Sequence, residues 1–261
     1  MKHPYGRGET PLVMGILNLT PDSFSDGGRW NDLQKALDHA FEMIEQGAAI
    51  IDVGAESTRP GSIPVPQEEE WARLEPVLKE LIPSVDVPIS VDTVKPYVAE
   101  RCISLGASTI NDVNGFRWKG MFEACAGSGV DIVISHMYGT YGDIHRGLMG
   151  PSYRKEIKSF IDGQVAKALD AGIPDGNIIV DPGIGFGKTA EQNMSLAEDS
   201  SFLKEGHRLL IGVSRKRFIR ELFPDTDVDV ASARVSKMAA EFGADIVRVH
   251  NVAATVSELG F

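Results

Sequence analysis

The sequence predicts a single (β/α)8 barrel, the TIM-barrel member of the α/β class, with residues 1–261 forming one domain. Three observations predict it. Short apolar runs recur eight times, each followed by a stretch with helical periodicity. The runs are apolar on both faces and rich in Ile and Val, as parallel strands covered by helices are. Eight such units in 261 residues match the usual length of this barrel, roughly 250 residues. A doubly wound open sheet competes, but it more often uses fewer strands and one dominant glycine fingerprint after the first.

The elements follow in order. Strand-like runs are expected at residues 13–17, 50–53, 89–91, 109–110, 131–135, 177–180, 209–213 and 246–249. Helices are expected at 32–47, ended by Gly47, at 68–82, and from Pro96, which suits a first helical turn. Further helices are expected at 119–128, at 152–171 before Gly172, within 191–203, at 230–243 and at 253–259. No linker, low-complexity segment or composition shift divides the chain.

Composition narrows the function classes. A hydrophobic fraction of 43% is ample for a packed core. The formal net charge of -11 argues against nucleic-acid and anionic-membrane partners, which need a basic surface. An anionic substrate would need locally concentrated cations. Cys102 and Cys125 match no metal or redox spacing and read as small buried apolar residues. The stretch MKHPYGRGETPLV has no apolar signal-peptide core. No segment approaches the roughly 18 consecutive apolar residues of a membrane helix. The expectation is a soluble cytoplasmic protein.

In such a barrel the chemistry sits at the C-terminal strand ends, and here nearly every end is polar: Asn18; Asp52 and Glu56; Asp92; Asn111 and Asp112; His136; Asp181; Ser214 to Lys216; Arg248 and His250. Asp92, Asn111 and Asp181 are short hydrogen-bonding groups suited to a flat heterocycle with amide-like edges, and Lys216 can donate to a ring carbonyl. Arg59, Arg248 and His250, with Asn18, form a second group suited to an anion; Arg248 can equally pair with a neighbouring carboxylate. Asp112 is expected to cap the following helix. The segment NLTPDSFSDGG after the first strand cannot continue it, and Phe24 among hydroxyls and carboxylates reads as a lid over something flat.

Two motifs fail on spacing. DPGIGFGKT ends like a phosphate-binding loop, but Pro182 occupies the position of its first glycine. Lys188 likewise stands where the third glycine of a dinucleotide fingerprint belongs. The glycines are expected to let backbone pass close under a ligand. His136 is expected to be a hydrogen-bonded strand-end residue, and His145 a surface one.

The ordered set MGILNLTPDSFSDGG, IDVGAESTRPGS, SVDT, NDV, HM, DPGIGFGK, GVSRKRF and RVH closely resembles the dihydropteroate synthase family over nearly the whole chain. The resemblance implies a homodimeric barrel. Its reaction condenses 6-hydroxymethyl-7,8-dihydropterin pyrophosphate with p-aminobenzoate, giving 7,8-dihydropteroate and pyrophosphate in folate synthesis. It implies Asp92, Asn111, Asp181 and Lys216 on the pterin ring, with Val113 and Met137 against its faces. It implies Phe24, Thr58, Pro60, Phe186 and Arg217 around p-aminobenzoate. It implies Asn18, Arg59, Arg248 and His250 on the pyrophosphate, with Asn18 acting through Mg2+. The family reaction is dissociative, and Asp26 is placed to stabilise the pterin-methyl cation; Arg59, Lys216, Arg248 and His250 join it as catalytic groups.

The sequence departs from that pattern at Arg217, where many members have Ser, and at Asn251, where Asp is frequent after the His and could reorient His250. It departs also in YGTYGDIHRGLMG after Met137, and the C-terminal helix ends early. These leave room for a different arylamine. A pterin-dependent methyltransferase would share the ring pocket but lack TPDSFSDGG. A silent pterin-binding paralogue would bind without turnover.

Overall fold

A computed structural model describes residues 10–19, 29–57, 62–141 and 147–261, and side chains within these from residue 32 of the second segment. The sequence expectations for Phe24, Asp26, Thr58, Arg59, Pro60 and His145 lie outside the described residues.

Eight parallel strands close into a barrel in chain order, as the sequence predicts. They are β1 (Leu12–Asn18), β2 (Ile50–Gly54), β3 (Ile89–Asp92), β4 (Thr109–Asp112), β5 (Asp131–Ser135), β6 (Ile178–Asp181), β7 (Arg208–Ile211) and β8 (Ile246–Val249). The outer ring holds α1 (Arg29–Glu45), α2 (Gln67–Leu81), α3 (Pro96–Leu105), α4 (Met121–Cys125), α5 (Tyr153–Asp170), α6 (Ala190–Glu198), α7 (Arg217–Leu222), α8 (Val228–Glu241) and α9 (Val252–Leu259). Among the described residues no helix is long and apolar enough to cross a membrane.

Two differences from the sequence expectation have local causes. The helix expected at 119–128 shrinks to α4, because Gly120 before it takes a left-handed conformation and Gly127 after it does the same. After β7 an unexpected short helix, α7, precedes α8; it opens at Lys216 and stops one residue before Pro224. Six residues are too few to show a helical period.

Strand side chains alternate, so every second residue faces the barrel axis. Met14, Ile50, Val133, Ile179, Leu210 and Ile246 form one buried apolar layer across it. Two residues further along, on the same face, stand Asp52, Ser135, Asp181 and Arg248. An apolar floor thus carries a polar layer directly above it, at the C-terminal end of the strands. The larger core lies between barrel and helices, built from residues such as Leu17, Leu74, Ile110 and Ile134. Cys102 and Cys125 are buried in it, and burial pushes both thiols up to about 12.

Candidate active site

The polar layer is a bonded network. Arg248 of β8 lies between two carboxylates: its Nε donates to Asp52 Oδ2 at 2.6 Å and its Nη2 to Asp92 Oδ2 at 2.8 Å. Asn111 Nδ2 donates to the same oxygen of Asp52 at 3.1 Å. Burial pushes the Asp92 carboxyl up to about 7, against the pull of the Arg248 guanidinium and reinforced by the Asp52 charge. The pairing of Arg248 with neighbouring carboxylates, open from sequence, is its state here.

Across the mouth, Asp181 Oδ1 accepts from Gly183 N at 2.7 Å and its Oδ2 from Ser135 Oγ at 3.0 Å. Lys216 Nζ donates to the Ile184 carbonyl and stands 4.6 Å from the centre of the Phe186 ring. Burial lowers its ammonium to about 8, partly offset by Asp181. The glycine loop makes this geometry possible. At Gly185, with φ +87°, a Cβ would stand 2.7 Å from Lys216 Cδ, and at Gly183 it would collide with the His136 carbonyl. Lys188, which mimics a phosphate-loop lysine in sequence, turns instead into its own loop. It donates to Gly183 O at 2.7 Å and lies 3.2 Å from His136 Nδ1. Burial and the Lys188 charge push His136 down to about 2, so its ring stays neutral.

The remaining candidates divide. Val113 and Met137 are buried just past the ends of β4 and β5, and Asn18 is half-buried at the end of β1 opposite Gly54. Ser214 Oγ accepts from His250 N at 3.1 Å and lies 3.0 Å from its Nδ1, which fixes the imidazole plane. Arg217 is not brought into the network: it is 80% exposed and pairs with Glu221 at 3.0 Å along α7. Asp112 is a correction. It does not cap α4 but accepts from Asn114 N at 2.7 Å and Phe116 N at 2.9 Å, closing the turn right after β4. Asn251 is another. Its Oδ1 caps α9 through Ala254 N at 3.0 Å and its Nδ2 donates to Asp229 at 3.1 Å, while Ser214 orients His250. An Asp in its place would lack the donor for Asp229.

Sequence reasoning named Asp52 as a strand-end group without a role and passed over Ser135 and Lys95. The two-residue spacing from the apolar layer was the available signal for the first two. Lys95, at the N-terminus of α3, is buried and its Nζ bonds Glu56 and Glu70 together. Glu56 Oε1 also accepts from Val65 N at 3.1 Å, nine residues on, and Arg73 Nη1 donates to Ala55 O at 2.9 Å. The two described ends of the β2–α2 connection are therefore tied to one buried cation. Burial pushes the Glu70 carboxyl up despite Lys95. Tyr141, in the segment after β5 that departs from the family pattern, bonds Glu56, and burial raises its phenol.

Taken together, acceptors at Asp92 and Asp181, an amide at Asn111 and a desolvated ammonium at Lys216 can read both edges of a flat, nitrogen-rich ring. Arg248 and His250 stand beside them at the last strand. Residues 14–250 match the family model for pterin binding enzymes. A dihydropteroate synthase of Clostridium beijerinckii is 42% identical over 250 residues, covering 94% of this chain and 90% of its own. The structure of Xanthomonas albilineans dihydropteroate synthase with 4-aminobenzoic acid superposes with a TM-score of 0.89 at 40% identity, covering 96% of this chain and 91% of that one. The same enzyme in complex with 7,8-dihydropteroate gives 0.85 at 37% identity, covering 96% and 91%. The chain belongs to the pterin-binding enzyme family, among the dihydropteroate synthases.

Proposed function

We propose that the barrel mouth joins 6-hydroxymethyl-7,8-dihydropterin pyrophosphate to p-aminobenzoate, releasing pyrophosphate and 7,8-dihydropteroate. The observation that carries this reading is the convergence of Asp92, Asn111, Asp181 and Lys216 beside Arg248 and His250 on one rim. The ring group fixes the pterin. Arg248 and His250, with Arg59, hold the diphosphate, whose departure with the C–O electron pair leaves a pterin-methyl cation. Asp26 stabilises that cation, and the arylamine nitrogen then forms the new C–N bond and loses a proton. Phe24, Thr58, Pro60, Phe186 and Arg217 shape the arylamine side. Stabilising the leaving anion and the developing cation lowers the barrier without a covalent nucleophile.

A hard cation carried by the substrate's phosphate oxygens needs few protein donors. The Asn18 amide oxygen, half-buried at the end of β1, would be the protein donor. Mg2+ bound there supplies charge neutralisation on the diphosphate. Residues 1–261 act as one cytoplasmic domain that pairs as a homodimer.

Purified protein given the dihydropterin pyrophosphate, p-aminobenzoate and Mg2+ is expected to release pyrophosphate with dihydropteroate formed. Pterin binding with no turnover on this or any other arylamine would replace the synthase reading with that of a silent binder.

The ring assignment also predicts a proton linkage. Burial pushes the Asp92 carboxyl up to about 7. Ring N–H donors favour the carboxylate and lower that value on binding. Pterin affinity is therefore expected to rise with pH up to about 7 and to fall again above about 8, where the Lys216 ammonium loses its proton, with protons released on binding near pH 6.5. Calorimetry in buffers of different ionisation enthalpy checks this; Asp92→Asn should abolish the release.

A further inference from the structure

Asp52 is fully buried, and its Oδ2 accepts from two protein donors, one from each proposed subsite: Asn111 Nδ2 at 3.1 Å and Arg248 Nε at 2.6 Å. Its other oxygen, Oδ1, is buried with no hydrogen-bond partner among the described residues. A buried carboxylate held this way is costly. An apolar residue of similar volume is often as stable or more so, and Ile50, two residues earlier on the same face, shows that β2 accommodates one. The carboxylate therefore has a use beyond stability.

Its two bonds define that use. A carboxylate only accepts, so it draws the Asn111 NH2 toward itself and turns the amide carbonyl away. Asn111 thus presents an acceptor, alongside the acceptors Asp92 and Asp181. The same oxygen engages Arg248 at Nε, and Asp92 engages one Nη2 hydrogen. Among the described residues, that leaves the other guanidinium N–H groups available to an anion, with the plane of the fork fixed.

We propose that Asp52 is a positioning residue that sets the Asn111 amide and the Arg248 guanidinium through one oxygen, and so locks the ring subsite and the diphosphate subsite into a single geometry. This rests on the subsite assignment given under Proposed function.

The test is a set of double-mutant cycles read by calorimetry, with 6-hydroxymethylpterin and inorganic pyrophosphate plus Mg2+ as separate probes. Asp52→Val is expected to weaken each probe by about tenfold or more. Asp52→Asn, which keeps an acceptor oxygen and nearly the same shape, should recover part of the loss and serves if the Val variant does not fold. In an Arg248→Ala background, either Asp52 substitution should no longer affect pyrophosphate. In an Asn111→Ala background it should no longer affect the pterin. A residue acting only through fold stability would subtract its loss in every background. Additive losses, or unchanged affinities in folded Asp52 variants, would overturn the positioning role while leaving the subsites intact. Failure of the unaltered protein to bind either probe would overturn the subsite assignment and this proposal with it.

Discussion

Asp181→Ala and Lys216→Ala are each expected to abolish measurable binding of the pterin ring. Asp181 holds the loop that carries Lys216's resting partner to the barrel: its Oδ1 accepts from Gly183 N of that loop, and its Oδ2 from Ser135 of the neighbouring strand. Its charge also offsets the burial that lowers Lys188 to about 7 and Lys216 to about 8. Removing it leaves two buried cations without that counter-charge. Truncating one partner of a buried charged hydrogen bond to a ligand costs about 2–5 kcal/mol, roughly one and a half to three and a half decades in affinity at about 1.4 kcal/mol per decade. Lys216→Ala removes the donor facing the ring but leaves the Gly183–Gly187 loop its other bonds, so it is the cleaner variant. Calorimetric titration of 6-hydroxymethylpterin, with circular dichroism to confirm the fold, decides the matter. Unchanged affinity in either folded variant would remove these residues from the ring site.

Why those two residues were legible from sequence, and others not, follows from the range of the forces involved. A barrel strand alternates its faces every residue, so a polar group two positions beyond a core Ile, as Asp181 is beyond Ile179, declares its own location. Strand order and helix order follow from hydrophobic period in the same way. The helix α7 was invisible because six residues, Arg217–Leu222, carry no period; its start at Lys216 and its stop before Pro224 are local events. Asp112 misled because its bonding is local but not helical: Asn114 and Phe116, two and four residues on, form a turn in which Phe116 takes φ +59°. The partners of Arg248 were undecidable. Asp52 and Asp92 lie 196 and 156 positions away, and only barrel closure between β8 and β1 brings them near. The Arg217 side chain runs along its own helix to Glu221, a pairing four residues apart that exists only because α7 forms, so it stayed hidden with that helix.

The buried Lys95–Glu56–Glu70 cluster carries the largest expected effect on stability. Lys95→Met is expected to lower the melting temperature by about 6–20 °C, from about 3–5 kcal/mol for leaving buried charges uncompensated and about 2–4 °C per kcal/mol for a chain of this size. Met keeps the aliphatic stem, so the loss isolates the ammonium. Without it, Glu56 and Glu70 face each other with side chains 6% and 0% exposed. The Glu70 carboxyl, raised by burial, then loses the cation that opposed that rise. A native state that binds more protons than the unfolded chain gains stability as pH falls through that raised value. The deficit of the variant should therefore shrink between neutral pH and about pH 5, as Glu70, already raised in the parent, takes up a proton. Adding Glu56→Gln and Glu70→Gln to the Met variant should recover most of the loss at neutral pH. Calorimetric melts of the single and triple variants at pH 5 and pH 7.5 test the account: a loss independent of pH, or no recovery in the triple variant, would mean that packing rather than charge ties Glu56 and Val65 to α2 and α3.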